Sequence, residues 1–243
     1  MPRVSKLSHF LLLSTLVAAV TVFSVGCGSG SSNSSTRIRF VNAATNQASV
    51  NVLIDGVSVT SGLANVGGST AYMAVKSGAR RIQIQEPTNL VFLIDTTPTI
   101  TGDTTYIIRD RNVAGVLPPP LILTDSNTAP TTGNFSVRAI NLSPASNASA
   151  DAYVVASTVA TLNGLTPTFS GLPYPPTTAT YVSIAVGTGT WEAVFTPPGV
   201  TGPPSAFDGA PIPLTLVAGQ IETLLLVEDA AQNKTIVPLV DVQ

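Results

Sequence analysis

The chain has 243 residues, of which only 10% are charged, and it contains 19 glycines and 19 prolines. Its formal net charge is −2, and removal of residues 1–26, which carry Arg3 and Lys6, leaves 9 Lys+Arg against 13 Asp+Glu, a net charge of −4. This composition excludes the basic face that nucleic-acid binding requires. Abundant β-branched residues and turn formers favour an all-β fold.

Residues 1–26 have the pattern of a signal peptide. Two cations, Arg3 and Lys6, precede an apolar run and a small-residue segment, which correspond to the n-region, h-region and cleavage site. A membrane-spanning helix needs roughly 20 apolar residues, and this run is interrupted by serine and threonine. The pattern therefore favours a cleaved signal over an uncleaved anchor, which stays an alternative.

The segment Ser24-Val25-Gly26-Cys27 resembles the lipobox of bacterial lipoproteins, in which the cysteine becomes the first mature residue and carries acyl chains. Ser24 stands where leucine is usual, so cleavage by an ordinary signal peptidase is the alternative. The resemblance implies a membrane anchor on Cys27 and a place in the bacterial cell envelope. Gly28 favours the outer membrane, by resemblance to enterobacterial sorting. Residues 27–36 are predicted to be the lipidated Cys27 followed by a Gly/Ser tether, whose nine residues 28–36 have a root-mean-square span of about 17 Å.

Residues 37–127 are predicted to form a first sandwich of seven or eight short strands. Asp55-Gly56 lies between two alternating runs, which is a strong hairpin signal. In the strand around residues 81–85, Ile82 and Ile84 are predicted to point inward and Gln83 toward water. The same alternation near the start of the sandwich puts Arg39 on the solvent face. One Cys in the whole chain excludes an internal disulfide.

A linker at residues 128–133 leads to a second domain, residues 134–243, which repeats the first. Arg138 and Asn141 match Arg39 and Asn42, and a match of Gly219 to Gly102 is typical of corresponding turns. If the strands that follow these two glycines are aligned in sequence without a gap, Glu222 of the second repeat corresponds to Thr105 of the first. Ordered matches of this kind predict a tandem duplication, whose halves we expect to fold alone and to unfold in two transitions.

These motifs resemble a widespread, uncharacterised bacterial domain with an immunoglobulin-like fold. The shared pattern is Arg-x-x-Asn, an alternating strand closing on Asp-Gly, and glycine turns before apolar strands. The chain departs from it at Asn51, where an acidic residue is usual, and at Ala156-Ser157, which replaces Asp-Gly. The resemblance implies two tandem immunoglobulin-like or transthyretin-like β-sandwiches of the kind found in secreted proteins and lipoproteins. It implies no catalytic chemistry.

The mature chain lacks the residues of most catalytic and metal sites. The single histidine, His9, lies in the signal segment, so Ser-His-Asp and Cys-His arrangements and His- or Cys-based zinc or copper sites are excluded. No motif indicates a cofactor. Calcium remains open, although Asp110-Arg111-Asn112 and Glu228-Asp229 each offer few ligands.

A pair of carboxylates could still serve a glycan-active enzyme. We expect most carboxylates to lie in solvent on strands and turns. The candidates are Asp95, Asp103, Asp110, Asp125, Asp151, Glu192, Asp208, Glu228 and Asp229.

Two Pro-rich loops distinguish the second repeat, and each carries an aromatic residue, Tyr174 in residues 171–176 and Phe207 in residues 197–207. Stiff loops on a rigid sandwich are common binding sites, although they could be simple connections. The sequence therefore predicts a non-catalytic, lipid-anchored envelope protein, a binding or spacer module for protein or polysaccharide. The alternative is the carboxylate-dependent enzyme.

Overall fold

The computed structural model describes residues 35–110, 117–126, 128–144, 149–176, 179–204 and 209–241. The predicted signal peptide and Cys27 lie outside the described residues. Residues Ser34–Gln243 form one compact unit, and the regular elements described in it are β-strands. In the described part of the chain, no helix has the length and apolar character to cross a membrane. The predicted all-β fold class is confirmed.

The first repeat is a sandwich of two sheets. Its strands are β1 (Ser35–Asn42), β2 (Ser49–Ile54), β3 (Val57–Ala64), β4 (Gly68–Ser69), β5 (Met73–Lys76), β6 (Gly78–Ala79), β7 (Ile82–Gln85), β8 (Phe92–Thr96), β9 (Thr99–Ile100), β10 (Thr104–Ile108) and β11 (Leu121–Thr124). One sheet has the order β11-β10-β1-β4, with β5 also paired to β1, and the other has the order β3-β2-β7-β8. A small pair, β6 and β9, completes the repeat.

The second repeat is built in the same way. Its strands are β12 (Asn134–Asn141), β13 (Ser149–Ala156), β14 (Phe169–Pro173), β15 (Val182–Ala185), β16 (Trp191–Thr196), β17 (Ile212–Leu214), β18 (Ile221–Glu228) and β19 (Lys234–Val240). The sheets have the orders β15-β12-β18-β19 and β14-β13-β16-β17. In both repeats the first strand pairs in parallel with the strand before the last, β1 with β10 and β12 with β18.

Local sequence explains several of these elements. Asp55 and Gly56 both adopt positive φ, and Ile54 pairs directly with Val57 across them, so the predicted two-residue hairpin is confirmed. Ile82 and Ile84 are fully buried in the core of the first repeat, as their alternation predicts. Gln83 is buried too, at 3% exposure, so its predicted exposure is wrong. It lies on an inner strand between Leu53 and Asp95, and its amide donates to Asp95 at 3.1 Å.

The parallel pairs correct one alignment of the two repeats. Arg39 lies opposite Thr105, and Arg138 lies opposite Thr223. Thr105 therefore corresponds to Thr223, and the sequence match of Thr105 to Glu222 is displaced by one residue. A one-residue shift exchanges the two faces of a strand, so Glu222 lies on the face of β18 that is directed away from the first repeat.

The two repeats pack against each other through the sheets that contain β1 and β12. A buried apolar cluster draws residues from both repeats: Val41, Ala43, Ile107, Leu121 and Leu123 from the first, and Ile140, Leu142, Leu225, Val227 and Leu239 from the second. Each sandwich also has its own core between its sheets. The shared cluster means that neither repeat buries all of its apolar surface alone, which favours one cooperative unit.

Candidate binding surfaces

The most strongly buried charges lie between the repeats. Arg39 is 3% exposed, not solvent-facing as its alternation suggested, because the second repeat covers that face of β1. Its guanidinium pairs with Asp241, and Nη1 donates to the Val240 carbonyl at 2.9 Å. Nε donates to Thr105 Oγ1 at 2.7 Å.

The second repeat makes the equivalent set of contacts with the first. Arg138 pairs with Asp125, and its Nη1 donates to the Thr124 carbonyl at 3.1 Å. Its Nε donates to Thr223 Oγ1 at 2.8 Å. Each arginine thus binds the carboxylate of the other repeat and the threonine of its own, a reciprocal arrangement like that of a two-fold symmetric dimer.

Two tyrosines complete the network. The Tyr72 hydroxyl donates to Asp125 at 2.6 Å, and the Tyr181 hydroxyl donates to Asp241 at 2.7 Å. Each ring lies under a guanidinium carbon, 4.7 Å from Arg39 and from Arg138 respectively. Burial raises the pKa of both tyrosines above the usual value. Every charge in this network is therefore matched by a partner, and the network is structural.

Several candidate carboxylates that were expected to lie in solvent are buried instead. Asp103, Asp125, Asp151 and Glu228 are all buried. Asp151 accepts hydrogen bonds from the backbone N–H groups of Gly171 at 2.7 Å and Gly199 at 2.9 Å, so it holds strand β14 and one Pro-rich loop in place. In the described residues, no group of three or more potential ligands could hold a metal ion.

Of the two aromatic residues predicted for binding, only Tyr174 lies in the described part of the chain, and Phe207 lies outside it. Tyr174 is half-buried. Burial raises its pKa, and the charges that affect it are Asp110, Arg109 and Glu228. The ring therefore lies beside the junction of the repeats. Its role in binding stays a prediction.

A different exposed surface occurs in the first repeat, at the hairpin between β7 and β8. Leu90, Val91 and Phe92 are 57%, 54% and 47% exposed. We call these three residues the apolar strip. No sequence motif singled out this segment, although three adjacent large apolar residues after Asn89 could have indicated it.

Backbone hydrogen bonds hold the apolar strip in a fixed shape. The Glu86 N–H donates to the Val91 carbonyl at 2.9 Å, and the Leu90 N–H donates to the Glu86 carbonyl at 3.0 Å. Side chains close the same turn, since Glu86 Oε2 accepts from the Asn89 N–H and Asn89 Oδ1 accepts from the Val91 N–H. Leu90 adopts φ +60°, a conformation that is costly for a non-glycine residue.

A cleft of about 610 Å³ lies beside Val91 of the apolar strip, whereas Leu90 and Phe92 do not line it. Its apolar lining includes Val91 and Leu93. The polar lining consists of amides, a hydroxyl and one carboxylate: Asn46, Gln47, Asn89, Thr88 and Glu86. The volume lies within the range of small-ligand sites, and apolar groups combined with a few oriented polar groups are typical of them.

Residues 36–150 match a family model described as a domain of unknown function, DUF4397. The match covers the first repeat and the beginning of the second, slightly less than half of the chain. It is consistent with the predicted resemblance to an uncharacterised domain family. No curated protein matches the sequence.

Several solved structures are similar to the chain at low identity. The CBMbc module of family CBM26 from Eubacterium rectale Amy13K, solved with maltoheptaose, is 11% identical, with 86% of this chain and 98% of that one covered and a TM-score of 0.27. A family 41 carbohydrate-binding module from streptococcal virulence factors, from work on alpha-glucan recognition, is 12% identical, with 79% and 93% covered and a TM-score of 0.27. The Bacillus anthracis TIE protein is 10% identical, with 79% and 34% covered and a TM-score of 0.25. TM-scores this low indicate nothing about what this chain binds.

Proposed function

We propose that the protein is a non-catalytic, lipid-anchored binding module of the bacterial cell envelope, and that its first repeat binds a neutral polysaccharide. The observation that carries the proposal is the apolar strip beside a cleft of polar side chains. A sugar ring offers a C–H face to apolar groups and hydroxyls to amides and carboxylates. A net charge of −4 after removal of residues 1–26 disfavours an anionic polymer.

The backbone conformation of Leu90 supports a role of the apolar strip in binding. A non-glycine residue at positive φ costs on the order of 1–3 kcal/mol, and such strain is concentrated at functional sites. Glycine or asparagine would adopt this conformation more readily, yet the chain has a leucine that is 57% exposed. Its exposed side chain contributes little to the core, which is consistent with a contact to a partner.

The lining of the cleft supports binding without hydrolysis. Glycoside hydrolysis generally uses two carboxyl groups on either side of the scissile bond. Glu86 is the one carboxylate among the residues that line the cleft. Asp125 and Asp241 do approach a common partner, Arg138, but both are buried within the junction of the repeats and offer no access to a polymer.

The anchor is proposed from the sequence of residues 24–27. Acylation of Cys27 and cleavage before it would leave a tether that is two residues shorter than predicted, because β1 begins at Ser35. The sandwiches would then stay near the membrane surface, extracytoplasmic and on the outer membrane. A spacer without a ligand would have the same anchor. The polysaccharide-binding experiment distinguishes the two.

The proposal is tested by binding of purified protein to dextran, mannan and soluble β-glucan. Val91→Thr keeps the shape of the side chain and removes a methyl from the cleft, and Phe92→Ala removes the ring. Val57, 67% exposed at another turn of the same repeat, provides the control Val57→Thr. We expect about tenfold weaker binding for Phe92→Ala, a smaller loss for Val91→Thr and wild-type binding for the control. Equal binding by all four proteins, or no binding to any polymer, would contradict the proposal.

A further inference from the structure

The two repeats differ at one core position that the register makes equivalent. Phe40 follows Arg39 and lies opposite Tyr106, whereas Ala139 follows Arg138 and lies opposite Leu224. In the first repeat the rings of Phe40 and Tyr106 lie 5.3 Å apart and fill the space between the sheets. The second repeat has neither ring at this place.

Neighbouring substitutions do not fill the space completely. Met73 lies opposite Ile38, and the equivalent residue opposite Val137 is the smaller Val182. Phe169, opposite Ala152 on the neighbouring strand, forms one wall. A cleft of about 320 Å³ stays open between them, lined by Ala139, Phe169, Leu172 and Val182 together with the hydroxyl residues Thr168, Ser170 and Thr180.

The cleft opens between two strand edges. β14 is the last strand of one sheet and β15 is the last strand of the other. Phe169 and Leu172 belong to β14, and Val182 begins β15. An extended peptide can add to a strand edge through its backbone and place alternate side chains in adjacent pockets.

We propose that this cleft, which we call the Ala139 cleft, binds an aromatic side chain of an extended peptide from a protein partner. The first repeat shows which group suits the position, because Phe40 occupies the equivalent place there. The buried Ala139 forms the floor and Phe169 a wall, so a phenyl ring would be desolvated on entry. This site is separate from the apolar strip and does not depend on polysaccharide binding.

The test uses the full-length protein in detergent and two capped pentapeptides, one with phenylalanine and one with alanine between pairs of threonines. Binding is measured by ligand-observed NMR and by titration of backbone amide shifts. We expect the phenylalanine peptide to bind at least tenfold more tightly than the alanine peptide. Shifted amides should belong to β14 and β15.

Two variants make the second repeat more like the first. Ala139→Phe supplies the ring from within the chain, and Val182→Met narrows the entrance with the residue found at position 73. Both should weaken peptide binding about tenfold or more, because each places side-chain atoms in the space that the peptide ring would occupy. Val182→Met keeps the test decisive if Ala139→Phe fails to fold.

Three outcomes of these experiments would overturn the proposal. Equal affinity for the two peptides, or wild-type affinity in a folded Val182→Met variant, would overturn the proposal. Amide shifts at β14 and β15 caused by free glucose oligomers but not by the phenylalanine peptide would also overturn it, since the cleft would then bind a sugar. In either case the polysaccharide site of the first repeat would be unaffected.

Discussion

Arg39 and Asp241 are 202 positions apart and form a buried ion pair across the junction of the two repeats. Their side chains are 4% and 0% exposed. Because Asp241 follows the last strand of the second repeat, the pair ties the beginning of the folded region to its end. Arg138 and Asp125 form the reciprocal pair, so the two sandwiches are coupled by charge as well as by their shared apolar cluster.

Removal of one member of this pair should destabilise the whole fold. Asp241→Ala leaves the Arg39 guanidinium buried without its carboxylate, and breaking a buried pair on one side costs about 3–5 kcal/mol. The loss should appear in the free energy of unfolding measured with urea. The double variant Arg39→Met with Asp241→Leu should recover only part of it. It leaves neither charge of the pair buried, but the Tyr181 and Thr223 hydroxyls lose their acceptor.

The surface pair of Arg81 and Asp95 provides a control. Their side chains are 55% and 37% exposed, and solvent screening leaves such exposed pairs with little net effect on stability. Arg81→Ala should therefore change stability little, because it removes the exposed pair and leaves Asp95 as the acceptor of the Gln83 amide. A similar small change for Asp241→Ala would show that the junction does not couple the repeats.

The full chain should unfold in one transition. The single tryptophan, Trp191, packs against the core of the second repeat, so its fluorescence reports that repeat, while circular dichroism reports both. The shared cluster predicts that the two signals coincide during urea unfolding. Separate midpoints would instead support the sequence-based expectation that residues 37–127 and 134–243 unfold independently.

Glu222 should make the protein less stable as the pH rises. The residue is 6% exposed, and Oε2 has no hydrogen-bond partner. Burial, followed by the charge of Asp241, raises its pKa from 4.5 to about 7. The folded state thus favours the protonated acid, and this contribution is lost as the pH increases from about 4.5 through about 7.

The pH effect is isolated by comparison with Glu222→Gln, which keeps the shape and removes the titration. The difference in unfolding free energy between wild type and Glu222→Gln should change in favour of the variant between pH 5 and pH 8. A difference that is constant over this range would mean that Glu222 titrates normally.

The strand pattern of the first repeat could be predicted from sequence because it depends on local signals. Asp55-Gly56 requires positive φ at two adjacent residues, and apolar alternation identifies the inward face of β2 and β7. The exposure of Arg39 could not be predicted in this way. The alternation of charged and apolar residues around Arg39 predicts that its side chain faces solvent. That side chain is covered only by the second repeat, which lies a hundred residues away in sequence.

The reciprocal network had a partial sequence signal. Arg39 and Arg138 stood out as matched residues, but their carboxylate partners, Asp241 and Asp125, follow the final strands and match only after those strands are aligned. The turn glycines at 102 and 219 suggested a register one residue away from the true one. The length of a turn can differ by one residue between two repeats. Because side chains alternate between the two faces of a strand, an alignment error of one residue moves a side chain to the opposite face.

Lipidation is predicted for Cys27. In a bacterial host, the protein should incorporate labelled palmitate and partition into detergent, and Cys27→Ala should remove both properties. Because the small residues Ser24 and Gly26 also suit an ordinary signal peptidase, the competing result is unlabelled wild-type protein in the soluble fraction. That result would refute the anchor while leaving the binding surfaces untouched.

The most direct test of the proposed function is a hydrogen-exchange footprint of the wild-type protein with dextran, mannan or soluble β-glucan. We expect at least one polymer to slow amide exchange in residues 86–93 and in residues 46–48, which line the cleft, while no reducing ends are released during incubation. The Val57 turn should show no change. Unchanged exchange at the cleft with every polymer, or steady release of reducing ends, would contradict a non-catalytic polysaccharide-binding module.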